Sequence, residues 1–175
     1  MSRFPLVGSL RIGTRHLDLM PLPAEAAAAL PDDRSAASRQ IGALLPEAWP
    51  QVDLLDVLPM QAAAPNIEAE LFGVWLLIER ETNTVVGDIG FFGPPHGRSV
   101  EIGFSVIPDR RRRGYASEAA RALVDWALRQ PGISEVTARS DAENEASARV
   151  LTRAAFDRLS ASKGTVHWRR RSPGR

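Results

Sequence analysis

A run of four arginines followed by glycine is the part of this sequence best suited to bind an anion. The arginines occupy residues 110–113, and Gly114 follows them. Residues 100–107 are rich in β-branched and aromatic side chains and end at Pro108, which is typical of a strand. Residues 117–130 are rich in Ala, Leu, Arg and Glu and lack Gly and Pro, which predicts a helix. The arginines therefore lie in a turn that leads from a strand into a helix.

A turn of this kind suits a phosphate-rich ligand. The start of a helix presents unpaired backbone N–H groups and a partial positive charge. Gly114 lets the backbone approach a ligand closely, and Ala116 keeps side-chain bulk away. Two common phosphate-binding patterns are missing, because the sequence contains neither G-x-x-x-x-G-K-[ST] nor G-x-G-x-x-G after a strand.

Arg111, Gly114 and Ala116 form the pattern R-x-x-G-x-A, which resembles the acetyl-CoA pyrophosphate loop of the GNAT superfamily of N-acetyltransferases. The flanking segments strengthen this resemblance. The preceding strand contains E-I-G-F, and residues 144–151 resemble the N-x-x-S-x-R-V-L segment of the branch that includes ribosomal-protein N-terminal acetyltransferases. The resemblance to this branch is specific over residues 85–156 and loose before residue 71.

The resemblance implies which residues bind the co-substrate acetyl-CoA. The backbone of Phe104, Ser105 and Val106 is expected to pair with the pantetheine arm and to polarise the thioester carbonyl. Asn144 matches the position that hydrogen-bonds this arm, and it is also a candidate N-cap of the following helix. The implied pyrophosphate loop consists of Arg111, Arg112, Arg113, Gly114, Tyr115, Ala116 and Ser117. For Arg112, as for Arg110, a solvated turn is the alternative.

The implied reaction is direct transfer, in which a neutral primary amine attacks the thioester while both substrates are bound. An amine with a pKa near ~10 must first lose a proton, so a base or a water chain is needed. Glu101 is the leading candidate for this base, because it sits on the strand that leads to the cofactor loop, on one face with Gly103 and Ser105. An exposed strand glutamate without a catalytic role is the alternative. Ser147 is the second catalytic candidate, at the thiol, with a structural role as its alternative. Asp88 and His96 are weaker candidates for the base.

Two positions depart from the pattern of the family. Many superfamily members place a tyrosine general acid seven residues after the Asn, and here that position is Leu151. The thiolate must then leave unprotonated, or with a proton from water or from a group such as Ser147. The glycine usually found before Phe156 is Ala155, which costs stability if the backbone there needs a positive φ.

The order of the predicted elements matches the GNAT fold. The predicted strands lie at 15–20, 71–79, 85–92, 99–107, 134–140, 156–159 and 165–169. The predicted helices lie at 24–30, 33–45, 114–130 and 145–153. We therefore expect the mixed α/β fold of GNAT acyl-CoA N-acyltransferases, with a central, mostly antiparallel sheet and helices on both faces. In this family the segment between the first two strands shapes the acceptor pocket, and here it is irregular and rich in proline.

Composition limits the class of protein. The 175 residues, with 44% hydrophobic and 25% charged side chains, fit one soluble domain over 1–170, followed by a basic, disordered tail over 171–175. Cysteine is absent, which excludes thiolate catalysis, and the three histidines are too scattered to suggest a metal site. No apolar stretch approaches the ~20 residues needed to span a bilayer, and no signal peptide is recognisable. We therefore expect a cytoplasmic protein without a metal.

Two other functions remain open. The first is a regulatory module that binds acyl-CoA but has lost catalysis together with the missing tyrosine. The second is a nucleic-acid-binding protein that uses the arginine run, although a net charge of +1 argues against it. The sequence does not choose between a protein N-terminus and a small-molecule amine as acceptor. The resemblance also implies a homodimer.

Overall fold

The computed structural model describes residues 10–173, and these contain eight strands in one sheet. The strands lie in the order β1-β2-β3-β4-β5-β6-β8-β7 across the sheet. Every neighbouring pair is antiparallel except β5 and β6, which run parallel, so the predicted, mostly antiparallel sheet is confirmed. The strands are β1 (Ile12–Gly13), β2 (Leu17–Pro21), β3 (Val74–Glu79), β4 (Thr84–Phe91), β5 (Ser99–Val106), β6 (Glu135–Asp141), β7 (Asp157–Ser162) and β8 (Thr165–Arg171).

Seven α-helices in the described part of the chain cover both faces of this sheet. They are α1 (Ala24–Ala29), α2 (Arg34–Ile41), α3 (Val52–Leu55), α4 (Leu58–Ala62), α5 (Ile67–Leu71), α6 (Tyr115–Arg129) and α7 (Glu145–Arg153). Along β3, Trp75 and Leu77 belong to the core formed with α6, while Leu76 and Ile78 belong to the core formed with α1 and α2. Burial on both faces explains the continuous apolar run of this strand. Within residues 10–173, no helix combines the length and the apolar character that crossing a membrane requires.

Helix α2 is shorter than predicted, because its end is set by a glycine. Asp33 caps the start of the helix by accepting a hydrogen bond from the N–H of Ala36 at 2.9 Å. Gly42 then adopts a left-handed conformation with φ of 77°, which ends the helix. The prediction that α2 continues to residue 45 is therefore wrong. Leu44, within the predicted range of this helix, is 61% exposed and forms a bridge to Thr84 instead.

The proline-rich segment before β3 contains three short helices, α3, α4 and α5, which the sequence did not predict. The start of β3 was also predicted too early, at residue 71. Asn66 caps α5 by accepting a hydrogen bond from the N–H of Ala69, and the helix then continues to Leu71. The indole Nε1 of Trp75 donates to the carbonyl oxygen of Leu71 at 2.8 Å. This local cap and side-chain bond keep residues 67–71 helical and delay the strand.

The C-terminal strand β8 is longer than predicted. Arg171, which we expected in a disordered tail, pairs with Glu135 of β6, and the N–H of Ser172 donates to the carbonyl oxygen of Ser134. The Nε of Arg171 also lies 3.3 Å from a carboxylate oxygen of Glu135. Backbone pairing and this charge pair hold the basic residue in the sheet. The last two residues of the predicted tail lie outside the described residues.

The position before Phe156 does have a positive φ, as the departure from the family pattern suggested. Ala155 follows α7 with φ of 63°, in the left-handed region that a Cβ atom disfavours. Its neighbour Ala154 is fully buried and has φ of −83°. The chain therefore carries local strain at the turn between α7 and β7.

We expect Ala155→Gly to raise the free energy of unfolding by about 0.5–1 kcal/mol, because relief of the left-handed strain exceeds the added entropy of the unfolded chain. Urea unfolding followed by tryptophan fluorescence measures this change. Ala154→Gly is the matched control and should destabilise the protein, because residue 154 is buried and needs no positive φ. A destabilised Ala155→Gly variant would contradict the assignment of strain.

Candidate active site

Strands β5 and β6 run side by side for only four residue pairs and then separate. Residues 99–102 pair with 135–138, after which β5 continues to Val106 with β4 as its neighbour. In the described part of the chain, the other edge of residues 103–106 has no strand partner. An unpaired strand edge offers its N–H and C=O groups to an extended ligand.

The loop after β5 leads into the open start of α6. Pro108–Arg110 form a short 3-10 turn, and then Arg112 and Gly114 adopt left-handed conformations with φ of 63° and 82°. No side chain caps the N-terminus of α6. A Cβ atom on Gly114 would meet nothing within 4 Å, so this side of the helix start is open. Its unpaired N–H groups can therefore reach an anion.

A cavity of about 760 Å³ connects the open edge of β5, the arginine loop and the start of α7. Most of the residues that the resemblance assigned to acetyl-CoA line this cavity. They are Phe104, Ser105, Val106, Arg111, Arg112, Gly114, Tyr115, Ala116, Ser117 and Asn144. Ser147 also lines the cavity, whereas Arg113 and Glu101 are not among its lining residues.

Four charged residues that sequence analysis did not assign to the site also line the cavity. Arg149 and Arg153 come from α7, and Arg110 comes from the loop. The segment that contains Arg149 was recognised, so its arginine was a usable signal. Asp53 reaches the cavity from α3, and no periodicity in its proline-rich segment points to it. The lining of the cavity therefore carries an excess of positive charge, with one carboxylate from α3.

The arginines of the loop have different partners in the fold. Arg111 donates its Nε to the carbonyl oxygen of Val106 at 2.9 Å, which ties the loop to the end of β5. Arg110 and Arg113 approach the carboxylate of Glu79, with N···O distances of 3.4 Å and 3.7 Å. The run is therefore not a uniform solvated basic strip, which weakens the nucleic-acid alternative.

Ser105 is linked to both the arginine loop and the segment before α3. The side-chain amide of Gln51 donates to the hydroxyl of Ser105 and accepts a hydrogen bond from Arg111 at 3.1 Å. Asp88 lies directly opposite Ser105 in the β4–β5 register, so the two side chains share one face of the sheet. The indole Nε1 of Trp49 donates to Asp88 at 2.9 Å. These contacts place the segment between β2 and β3 against the site.

Asp88 is a buried carboxyl group with a perturbed acidity. Burial raises its pKa from 3.8 to about 6, the hydrogen bond from Trp49 opposes this rise, and the charge of Asp53 adds to it. A carboxyl group with such a pKa exchanges its proton close to neutral pH. Asp88 is therefore a candidate for proton transfer beside Glu101, although it does not line the cavity.

Glu101 lies on the same face of β5 as Ser105 but further from the open edge. They are four positions apart, which corresponds to about 13 Å along a strand. The carboxylate of Glu101 accepts a hydrogen bond from the Nε of Arg139 at 2.6 Å, and the pair is partly exposed. This ion pair partly balances the charge of Glu101.

Asn144 and Ser147 form the start of α7. The Oδ1 atom of Asn144 accepts a hydrogen bond from the N–H of Ser147 at 3.0 Å, so the predicted N-cap is confirmed. Leu151, which occupies the position of the family tyrosine, is fully buried in the core. That position therefore contributes packing and carries no acid.

The parted strands, the arginine loop and the open helix start meet at one cavity, whose lining carries more positive than negative charge. Residues 21–157 match the family described as acetyltransferase (GNAT) domain, so this chain belongs to the GNAT acetyltransferases. A relative in Bacillus subtilis (strain 168), named as the uncharacterized N-acetyltransferase YjdG, is 32% identical over 123 residues, which cover 69% of this chain and 73% of the relative. The family predicted from the sequence is confirmed, and the protein is an acetyltransferase.

Solved structures share the fold at low sequence identity. The ribosomal-protein-S5-alanine acetyltransferase from Vibrio fischeri aligns with a TM-score of 0.65 at 14% identity, over 94% of this chain and 98% of that one. The microcin C7 self immunity acetyltransferase MccE, solved with acetyl-CoA and AMP, aligns with a TM-score of 0.61 at 13% identity, over 90% and 93% of the two chains. The branch indicated by the sequence motifs is thus represented among its structural neighbours.

We expect the stability of the folded protein to report the raised pKa of Asp88. The folded protein binds this proton more tightly than the unfolded chain, so the contribution of Asp88 to stability falls as pH rises from about 4 to about 6. Asp88→Asn keeps an oxygen for Trp49 and removes the titration. The free energy of unfolding of the variant, relative to wild type, should rise by about 2 kcal/mol between about pH 4.5 and 7.5.

Urea unfolding at the two pH values measures this difference directly. Because each variant is compared with wild type at the same pH, the contributions of other titrating groups largely cancel. A difference between the two proteins that does not change with pH would show that Asp88 has an ordinary acidity in the folded state.

Proposed function

We propose that this protein transfers the acetyl group of acetyl-CoA to a primary amine, by direct attack of the amine while both substrates are bound. The observation that carries this proposal is the unpaired edge of residues 103–106 beside the open N-terminus of α6. An extended amide-containing arm would pair with that edge, and phosphates would meet the helix start and the arginines. When bound, acetyl-CoA supplies the acetyl group as an activated thioester.

The residues around the cavity fit such a ligand. We propose that the N–H groups of residues 114–117 and the guanidinium groups of Arg111 and Arg112 bind the pyrophosphate. Arg149 and Arg153 add positive charge from α7. Asn144 uses its Oδ1 atom as the N-cap, so its Nδ2 is the group that would donate to the pantetheine arm.

Arg113 has a different place in the proposal. It does not line the cavity, and its guanidinium lies beside Glu79. We therefore assign to Arg113 an effect through the shape of the loop and through its charge, with no direct contact to the ligand. Tyr115, two residues further along, lines the cavity and donates its hydroxyl to the carboxylate of Glu79 at 2.7 Å.

One carboxylate in the cavity wall supports an amine as the acceptor. Asp53 lines the cavity from α3, and its charge contributes to the raised pKa of Asp88. A carboxylate attracts a cationic acceptor and repels an anionic one. The charge of Asp53 therefore favours an amine as the acetyl acceptor.

The attacking amine must lose its proton to a base. We propose Glu101 as the base, acting through water, with Asp88 as the second candidate because of its position opposite Ser105. Ser147 lines the cavity in the first turn of α7, and we propose that its hydroxyl hydrogen-bonds the departing sulfur. The buried Leu151 leaves this task without the family tyrosine.

We expect Gly114→Asp to weaken acetyl-CoA binding by at least about tenfold, because it places a carboxylate at the helix start beside the phosphates. Gly114→Asn is the matched control, since it has nearly the same shape and the same tolerance of a left-handed φ but no charge. Isothermal titration of acetyl-CoA into the three folded proteins measures the effect. Equal affinities for the Asp and Asn variants would remove the pyrophosphate from this position, and a wild type that does not bind acetyl-CoA would overturn the function.

We expect Glu101→Gln to lower kcat by about 100-fold or more while the KM for acetyl-CoA stays unchanged, because the residue lies outside the proposed cofactor cavity. The assay uses the amine that responds best in a panel of peptides with free N-termini and small amines. Arg139→Gln is the control, because it breaks the same ion pair but keeps the carboxylate. Equal losses in the two variants would make Glu101 a structural partner of Arg139 and would favour Asp88 as the base.

A further inference from the structure

Glu79, the last residue of β3, is a buried carboxylate with four partners. The residue is 3% exposed. Its Oε2 atom accepts a hydrogen bond from the hydroxyl of Thr82 at 2.6 Å, and its Oε1 atom accepts one from Tyr115 at 2.7 Å. The same Oε1 atom lies 3.4 Å from the Nε of Arg110 and 3.7 Å from the Nη1 of Arg113. Three of these partners belong to the arginine loop and the start of α6.

The ties to Glu79 enclose a strained part of the loop. Arg112 has φ of 63°, and a left-handed conformation costs a residue with a Cβ atom about 1–2 kcal/mol. Such a conformation persists only where surrounding contacts hold it. Arg110 on one side and Arg113 on the other form ion pairs with the same carboxylate, and Tyr115 donates a hydrogen bond to it. Glu79 thus connects the two ends of the strained stretch.

We infer that Glu79 is a positioning residue, which holds the arginine loop in the conformation that presents the N–H groups of residues 114–117 to the ligand. The inference rests on the proposed function only for the identity of that ligand as acetyl-CoA. Glu79 is not among the residues that line the cavity, so it acts through its partners.

The charge of Glu79 is part of this role. Burial by itself raises the pKa of Glu79, but the hydrogen bonds from Thr82 and Tyr115 and the charges of Arg110 and Arg113 outweigh it, so the net pKa is lowered. The carboxylate is therefore ionised at neutral pH, and a neutral side chain would not hold the two guanidinium groups. In the same site, burial and the adjacent carboxylate raise the pKa of Tyr115, so its hydroxyl stays a donor.

The sign of the binding effect separates positioning from simple charge balance. A negative charge beside the arginines lowers the positive potential that attracts phosphates. If Glu79 did nothing else, its neutralisation would tighten the binding of an anionic ligand. If it positions the loop, its neutralisation releases the strained conformation and weakens binding, because the N–H groups no longer converge.

Glu79→Gln keeps the size of the side chain and an oxygen for Tyr115, but removes the charge. The loop itself supplies a readout, because trypsin cleaves after arginine and the loop contains four in succession. In native-state proteolysis followed by mass spectrometry, we expect cleavage within residues 110–113 to become about tenfold faster, with other sites unchanged. Isothermal titration should show acetyl-CoA affinity reduced by about tenfold.

Glu135→Gln is the matched control. Glu135 is a carboxylate on β6 that lies close to two arginines, Arg169 and Arg171, and it does not line the cavity. Trypsin should cleave the Glu135→Gln variant within residues 110–113 at the wild-type rate, and this variant should bind acetyl-CoA as wild type does. Thr82→Ala is a milder variant, because Thr82 is exposed in the β3–β4 turn and contributes one hydrogen bond to Glu79. It should shift both readouts in the same direction by about threefold.

If Glu79→Gln fails to fold, Thr82→Ala decides the question. The positioning role would be overturned if the folded variant matched wild type in both loop cleavage and acetyl-CoA affinity. It would also be overturned if the variant bound acetyl-CoA more tightly. Faster cleavage at all sites in parallel would also overturn it, since that pattern reports global destabilisation. A wild type that does not bind acetyl-CoA would remove the proposed function, and the trypsin pattern would still test whether Glu79 orders the loop.

Discussion

The separation of β5 from β6 after four residue pairs is the constraint on which the rest of this site depends. Backbone groups on an unpaired strand edge need another partner; the carbonyl oxygen of Val106 has one in Arg111, and the remaining groups on the open edge of residues 103–106 are left to water or a ligand. The gap between the two strands also makes room for the start of α6 and the start of α7, which meet at the same cavity. One change in strand pairing thus creates a groove, a set of hydrogen-bonding groups and an approach to a helix N-terminus.

Residues 42–51, which reach Asp88 and Ser105 through Trp49 and Gln51, have little regular structure. Arg34 of α2 holds this segment by donating to the carbonyl oxygens of Leu45, Pro46 and Trp49, at 3.3, 2.9 and 2.9 Å. The segment then delivers the indole of Trp49 to β4 and the amide of Gln51 to β5 and the loop. A single guanidinium group thereby fixes the path of a segment that is neither helix nor strand. Because Arg34 belongs to α2, it also links the helical layer to the geometry of the site.

Local signals in the sequence determined a large part of this protein. The apolar run of β3, the helix-forming composition of α6 and the Asn144 cap of α7 act over a few residues, so their structural outcome could be predicted. The same holds for the position of the arginine loop between a strand and a helix, and for the family that its motif indicates. Errors arose where a short cap or glycine overrode a longer pattern, as at the end of α2 and the start of β3.

Only the tertiary structure decided which charged groups act together. Glu79 is remote in sequence from the arginines that it holds, and Glu101 meets Arg139 across two parallel strands. The pairing of Asp88 with Ser105 follows from the β4–β5 register. The sequence specifies the side chains but gives no register between strands and no path for the proline-rich segment. Because electrostatic effects depend on distance and burial, the partners and acidities in this site emerge only when the sheet and its two helical layers are assembled.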